Sequence, residues 1–462
     1  MNDIDQPRLQ QIRVEIRGLL SLAGPLIANN IALVGMTFTD TVMAGNISAR
    51  DLAAVGVGNA VWFAVFLFGL GNLMALSPIT AQALGARRQA EVGVYSRQSL
   101  WLSLLLAVLT VAVFLNASPI MSFIGIHEDF RGLAGDYVMA VSWGIPGVFA
   151  YLVLRFVSEG LGHTRPIALI AIAGLIFNVF ADYVLMYGKL GFPALGAVGC
   201  GYATSAVHWG MFFIMLWYVT RGNRALYSPL KLFERFDWPD VRRLAEIVRL
   251  GLPIGIGMLA EVGLFSAAAL LMGRLGTAAA GAHQIAINYA ATMFMVPLGI
   301  HSAIIARVGY KVGRGDQIGA RLTGNTGIAV CAGVMLISAI ILLLFADVIV
   351  GFYTSDEAVH QIALGLLLMA AIFQVSDGVQ VAAMGALRGL KDTAVPMGLS
   401  IFAYWGVGFP LAWYMVVVQE RGPVWVWASL VAGLTVAAVL LTSRFFRITG
   451  PGAASLDAGR RA

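Results

Sequence analysis

The chain has 462 residues, of which 59% are hydrophobic and only 12% charged, and its mean hydropathy is +0.83. Soluble domains carry about 25% charged residues, so this composition excludes an ordinary soluble enzyme and points to a polytopic membrane protein. A net charge of +6 with a pI near 9.4 would suggest a nucleic-acid partner in a soluble chain; here it is assigned to cytoplasmic loops, and no nucleic-acid partner is expected.

The polar start, MNDIDQPRLQQIRVEIRG, runs straight into a full-length apolar stretch, so no cleavable signal peptide is expected. Apolar stretches long enough for a bilayer, roughly 20 residues each, are predicted at 18–45, 53–80, 97–118, 132–158, 166–188 and 197–220. A second set follows at 247–273, 278–306, 322–346, 360–386, 394–418 and 424–443. The fold class is therefore all-α integral membrane with twelve transmembrane helices. Residues 1–220 form an amino-terminal lobe, 221–246 a charged cytoplasmic linker, 247–446 a carboxy-terminal lobe and 447–462 a cytoplasmic tail. Of the 30 lysines and arginines, only Arg50, Arg131, Lys189, Arg274 and Arg421 fall on one side of this topology, which leaves 25 (30 − 5) on the side shared by both termini. The positive-inside rule then puts both termini in the cytoplasm. Pro25, Pro78, Pro146, Pro253, Pro297, Pro396 and Pro410, within or at the edges of spans, predict kinks.

The two sets of six resemble each other. Pro25 aligns with Pro253 at an offset of 228 (253 − 25), and Met43 with Met272 at 229 (272 − 43). Gly160-Leu161-Gly162-His163-Thr164 aligns with Gly389-Leu390-Lys391-Asp392-Thr393, again at 229 (389 − 160). An offset this constant argues for duplication, and six spans per copy give both copies one orientation, with a substrate path at their interface.

Four carboxylates lie within spans: Asp40, Asp182, Glu261 and Asp377. A charged side chain at a helix centre costs about 2.5–3.5 kcal/mol on insertion scales, so Glu261, midway along LGLPIGIGMLAEVGLFSAAALLM, is read as functional. Asp377 is mid-span in the tenth helix. Facing carboxylates in low dielectric do not both ionise cheaply, so this pair is read as a proton acceptor or, with extra oxygens, a cation site. Asp40 and Asp182 both fall in the outer third of their spans, and Asn178 shares a helix face with Asp182. These three are read as a second polar cluster, to which Thr204 offers a hydroxyl. The charges were not copied with the helices: subtracting 229 from Glu261 and Asp377 reaches Ala32 and Val148, and adding 229 to Asp40 and Asp182 reaches Ala269 and Leu411. Phe265, Gln284, Asn288 and Phe294 are taken as substrate-lining, since an aromatic beside an acid suits a lipophilic cation. Cys200 and Cys331 are read as buried thiols outside any disulfide or metal site. No G-x-x-x-x-G-K-[ST], H-E-x-x-H or G-x-S-x-G occurs, so ATP hydrolysis and standard hydrolase chemistry are not expected, and the protein is not read as an enzyme.

These residues resemble the multidrug and toxic compound extrusion (MATE) transporters, in particular their NorM branch. The carriers are Leu-Ala-Gly-Pro25, Phe38-Thr39-Asp40-Thr41-Val42-Met43-Ala44-Gly45, the run from Pro78 to Gly85, Glu261 in its apolar helix, Ala282-His283-Gln284-Ile285-Ala286, Met295-Val296-Pro297-Leu298-Gly299, and Asp377 before Ala386-Leu387-Arg388-Gly389. The resemblance implies two pseudo-symmetric six-helix bundles forming a V in the bacterial inner membrane. It implies antiport of Na⁺ or H⁺ against lipophilic cationic drugs and dyes, with no cofactor beyond the coupling ion and no obligate protein partner. It implies a cation site at Glu261 and Asp377, another at Asp40, Asn178 and Asp182, and a substrate contact at Asp356. The alternative within transport is a lipid-linked precursor flippase of the same superfold.

Overall fold

In a computed structural model, which describes residues 8–123 and 125–450, all regular structure among the described residues is helical. In chain order the α-helices are α1 (Arg8–Gly45), α2 (Ala49–Met74), α3 (Leu76–Gly85), α4 (Gln89–Phe114), α5 (Ala117–Phe123), α6 (Glu128–Ser142), α7 (Ile145–Gly160), α8 (Arg165–Tyr187) and α9 (Gly196–Trp217). They continue as α10 (Arg224–Tyr227), α11 (Val241–Arg274), α12 (Thr277–Gly313), α13 (Gln317–Tyr353), α14 (Glu357–Gly389), α15 (Ala394–Ile401), α16 (Phe409–Trp413) and α17 (Val424–Ile448). Each of the twelve expected spans is helical. Ten segments are long and apolar enough to cross a bilayer as they stand, and the α6–α7 pair, bent by 47°, makes an eleventh. The twelfth is α9, 22 residues long, whose apolar character is diluted by Tyr202, Thr204, His208 and Trp209. Several helices outrun the expected spans: α1 begins at Arg8 and α12 continues to Gly313. The expected tail, from Pro451 onward, lies outside the described residues. Along α13, Leu336, Ile337, Ile340, Ile341, Leu343 and Leu344 are exposed; a stripe of that kind suits lipid and not water.

Two of the proline expectations have a visible outcome. A proline leaves the carbonyl four residues earlier without its helical donor. Pro78 and Pro146 address the carbonyls of Met74 and Ser142, and these are the residues at which α2 and α6 end.

The duplication is written into the backbone. Helix starts pair at a spacing of 228 or 229: Ala49 with Thr277 (277 − 49 = 228), Gln89 with Gln317 (228), Glu128 with Glu357 (229), Arg165 with Ala394 (229) and Gly196 with Val424 (228). Left-handed residues pair as well, Gly162 with Lys391 (391 − 162 = 229) and Arg87 with Gly315 (315 − 87 = 228). At the first of these the second copy accepts a side chain where the first uses glycine. The break between α4 and α5 at Leu115–Asn116 reappears in α13 as the non-helical Phe345 (345 − 116 = 229). One difference is systematic. Residues 402–408 and 414–418 are π-turns, whereas their counterpart α8 is regular. Ala394–Val418 is 25 residues long against 23 in α8.

Packing divides the chain into two units. One is Ala28–Gly255; the other comprises the described residues of Met1–Ile27 and Ile256–Ala462. The division points are equivalent (256 − 28 = 228), so each copy lends the first half of its leading helix to the other unit. Inside the first unit, α11 reaches α2 through glycine: a Cβ on Gly71 would stand 2.4 Å from the Cα of Gly255. This is the close backbone crossing that small residues permit in membranes. Inside the second, Arg307 clamps α1. Its Nε and Nη2 donate to Glu15 at 3.0 and 2.6 Å, Thr323 donates to the same oxygen at 3.1 Å, and Lys311 stands 3.7 Å from the other. Gly18 makes room for it, since a Cβ there would lie 2.3 Å from the Arg307 guanidinium.

The connection before α11 is strapped to α4. Arg97 pairs with Asp237 at 2.7 Å through Nε and Nη2 and donates through Nη1 to the Lys231 carbonyl. Gln98 donates to the Trp238 carbonyl and accepts from the Asp240 amide, at 2.9 and 2.7 Å, while Trp101 donates to the Asp237 carbonyl at 2.9 Å. The Arg97 hydrogen bond holds the Asp237 carboxyl below its ordinary value of 3.8. A depressed carboxylate contributes stability above the unfolded-state value and loses it as pH falls through the folded-state value. The strap is therefore expected to hold at neutral pH and to loosen below pH 3.8. Arg97→Gln should loosen it at neutral pH. Faster trypsin cleavage after Lys231 or Arg235 is the measurement for the variant at neutral pH, and faster pepsin cleavage within residues 231–240 is the measurement for the acid loosening.

Candidate functional site

The first unit gathers its acids near one point. Asp40 on α1 and Asp182 on α8 are both buried, and Asn178, one turn before Asp182, donates through Nδ2 to Asp40 Oδ1 at 3.1 Å. The expected trio is thus brought together. The fourth member differs from expectation. Thr204 has its hydroxyl buried without a partner, but the side chain on the acids is Cys200, one turn earlier on α9. Its sulfur and one oxygen from each of Asp40 and Asp182 lie within 4.8 Å of one another. Neither Asp182 oxygen nor the Asn178 amide oxygen makes a hydrogen bond of good geometry, although Asp182 stands within looser reach of Asp40, Cys200 and Asn178. Buried polar atoms are ordinarily paired, so the cluster is under-satisfied for its burial.

The second unit carries the other pair. Asp377 on α14 is buried, with Oδ1 unpartnered, and Glu261 on α11 is half-buried. The two carboxylates lie within electrostatic reach of each other and, through Glu261, of Arg388. Arg388 had been counted among the loop charges; the structure buries it in the last turn of α14, where Nη1 donates to His301 Nε2 at 3.0 Å. His301 Nδ1 pairs with the Val381 carbonyl at 2.8 Å. A carbonyl only accepts, so Nδ1 carries the proton and Nε2 is the acceptor facing the guanidinium. Arg388 is thus a buried cation held by a neutral imidazole. Tyr404, in the first π-turn, also lies within reach of both acids.

The substrate-lining expectations separate into three groups. Phe265 joins an aromatic chain in the second unit's core, with Phe373 at 5.9 Å, Trp427 5.5 Å beyond that, and His283 accepting from Trp427 Nε1 at 3.2 Å. Gln284 and Asn288 are exposed on one face of α12 and bond each other at 3.3 Å. Phe294 is half-buried on the same helix. Asp356 is not brought to the acids. It caps α14, accepting from the amides of Ala358 and Val359 at 2.8 and 3.3 Å. Asp377 lies 21 residues along that helix, about 30 Å away at 1.5 Å per residue. The sequence reading missed Cys200, Arg388, His301 and Tyr404. For Cys200 the signal was its place one turn from Thr204 on the same face.

Comparison with known proteins covers nearly the whole chain. The sequence pattern described as MatE matches residues 25–184 and again 253–414, once in each copy. The chain is 40% identical over 442 residues to multidrug resistance protein PmpM of Pseudomonas aeruginosa, covering 95% of this chain and 92% of that protein. It is 43% identical over 432 residues to a probable multidrug resistance protein NorM of Xanthomonas campestris pv. campestris, covering 94% and 93%. Among solved structures, a crystal structure of MATE in the bent conformation superposes with a TM-score of 0.88 at 19% identity, covering 98% and 99% of the two chains; that likeness speaks for the fold alone.

Two substitutions in the first cluster should move stability in opposite directions. Asn178→Leu keeps the branched heavy-atom shape but removes the donor from buried Asp40, and a buried acceptor left unsatisfied costs about 1–3 kcal/mol; the melting temperature in detergent should fall. Asp182→Asn removes a buried carboxyl that its neighbours satisfy poorly, so the melting temperature should hold or rise. A fall for Asp182→Asn would mean that the carboxyl stabilises the fold.

Proposed function

The chain belongs to the MATE family, and from that premise we propose that it is a multi-pass multidrug efflux transporter working as a cation-coupled antiporter, with Na⁺ or H⁺ entering as a lipophilic organic cation leaves. Relatives at about 40% identity are named as multidrug resistance proteins, which supports drug export and a transporter without enzymatic activity. The observation that carries the coupling is that buried carboxylates in both units, Asp182 and Asp377, keep oxygens without partners. An unpaired carboxyl in a membrane bundle is expensive, and it is retained where it binds and releases a cation. We assign the coupling cation to Glu261 and Asp377 in one unit and to Asp40, Asn178 and Asp182 in the other. Ion and drug would compete for the same negative charge, so filling an acid with the ion releases the drug. Phe265, Gln284, Asn288 and Phe294 are the residues we assign to the drug, on the strength of their aromatic and amide chemistry.

The lopsided distribution of lysine and arginine supports an inner-membrane orientation with both termini cytoplasmic. A fluorescent-protein fusion placed after Ile448 should fluoresce, and a phosphatase fusion there should be inactive.

Glu261→Gln combined with Asp377→Asn should abolish ethidium efflux from a drug-sensitive strain while the protein still reaches the membrane. Full efflux by the double variant would overturn the coupling assignment for that unit. An imposed Na⁺ gradient at fixed pH identifies Na⁺ if it drives efflux; collapse of efflux by a protonophore at constant Na⁺ identifies H⁺.

A further inference from the structure

The cluster on α1, α8 and α9 contains a donor that a site for hard cations does not need. Na⁺ and H⁺ are served by oxygen; Cys200 offers sulfur, a soft ligand that selects zinc-like cations over alkali ions. A buried cysteine usually packs as a small apolar group. This one instead lies within 4.8 Å of an oxygen from each of two buried carboxylates. An independent observation points to a ligand at the same place. The Asn178 side chain is 2% exposed, its Nδ2 is committed to Asp40, and its amide oxygen is left without a partner.

We propose that Asp40, Asp182, Cys200 and the Asn178 amide oxygen form a binding site for a soft divalent cation of the zinc or cadmium type. The proposal rests on the assignment of Asp40, Asn178 and Asp182 above, and adds Cys200 as the residue that sets which cations the cluster accepts.

The geometry is close to what such an ion needs. Zinc takes sulfur at about 2.3 Å and oxygen at about 2.0–2.2 Å in a tetrahedron, which puts donors roughly 3.5 Å apart. The sulfur and one oxygen of each carboxylate, within 4.8 Å of one another, close to that spacing as the ion binds. The thiol gives up its proton to water as the metal–sulfur bond forms, so binding weakens as pH falls. One thiolate and two carboxylates outweigh the charge of a divalent ion, and the amide oxygen completes four-coordination without adding charge. A bound divalent ion would occupy the oxygens offered to the coupling ion, which makes the site inhibitory for transport.

The test is cadmium titration of the purified full-length protein in detergent, followed by the ultraviolet charge-transfer absorption of the cadmium–thiolate bond. The expected result is one cadmium per chain in the wild type and in Cys331→Ser. The absorption should be absent in Cys200→Ser, and affinity should fall roughly tenfold or more in Asn178→Leu and Asp182→Asn. Cys200→Ala replaces the serine variant if the latter loses its thermal transition. The proposal is overturned by no cadmium–thiolate absorption in the wild type, or by absorption that survives Cys200→Ser and disappears in Cys331→Ser. The titration uses neither drug nor ion gradient, so its outcome stands apart from whether Glu261 and Asp377 couple efflux.

Discussion

A carboxyl group inside an apolar helix bundle has no water to bond, and everything distinctive in this structure follows from how that demand is met or left unmet. At Asp40 it is met in part by Asn178. At Asp182 it is met only loosely, by Asp40, Cys200 and Asn178, and one oxygen of Asp377 makes no hydrogen bond. The helices around these residues are held by apolar contact, glycine crossings and backbone bonding, none of which requires an acid. The acids are therefore additions to a fold that stands without them. In the reading proposed above, their cost is tolerated because a cation satisfies them in one state and leaves in another.

The duplicated backbone supplies two frames of the same shape, and the side chains then diverge. Buried Glu159 in the first copy occupies the position of buried Arg388 in the second (388 − 159 = 229). In the first copy the acid faces Ser77, whose hydroxyl stands 3.4 Å away; in the second the guanidinium faces neutral His301. The second unit thus holds an internal cation beside Glu261, while the first sets a thiol beside its acids. The two frames thus surround their acids with different local chemistry.

Much of this was legible in the chain. The bilayer imposes long apolar runs, so all twelve spans could be read, and the offset of 228 or 229 survives in helix starts and left-handed residues alike. Asp40, Asn178 and Asp182 could be grouped because depth along two outward-running helices and spacing on one face are both readable. Thr204 was preferred to Cys200 because a hydroxyl is the commoner partner for a carboxylate, and which of two residues one turn apart faces the acids depends on helix rotation. Arg388 lies just beyond the expected span 360–386 and so reads as a loop charge; its burial depends on α12 supplying His301 from 87 residues away. Asp356 takes the capping role that an acid at a helix start readily has; its substrate contact is an implication of the resemblance and not of its position.

The two π-turns between Phe402 and Val418 bear on how far the copies can drift apart. Each extra residue held in such a turn rotates the rest of the helix by about 100° relative to a regular helix. Beyond Gly408 the second copy therefore turns to its neighbours a set of side chains that the corresponding stretch of α8, which bears Asp182, turns elsewhere. Overlaying one half on the other from its starting residue would put equivalent letters on different sides of the rod. An acid transplanted between halves by sequence alignment alone would point the wrong way, and the two halves have ceased to be interchangeable parts.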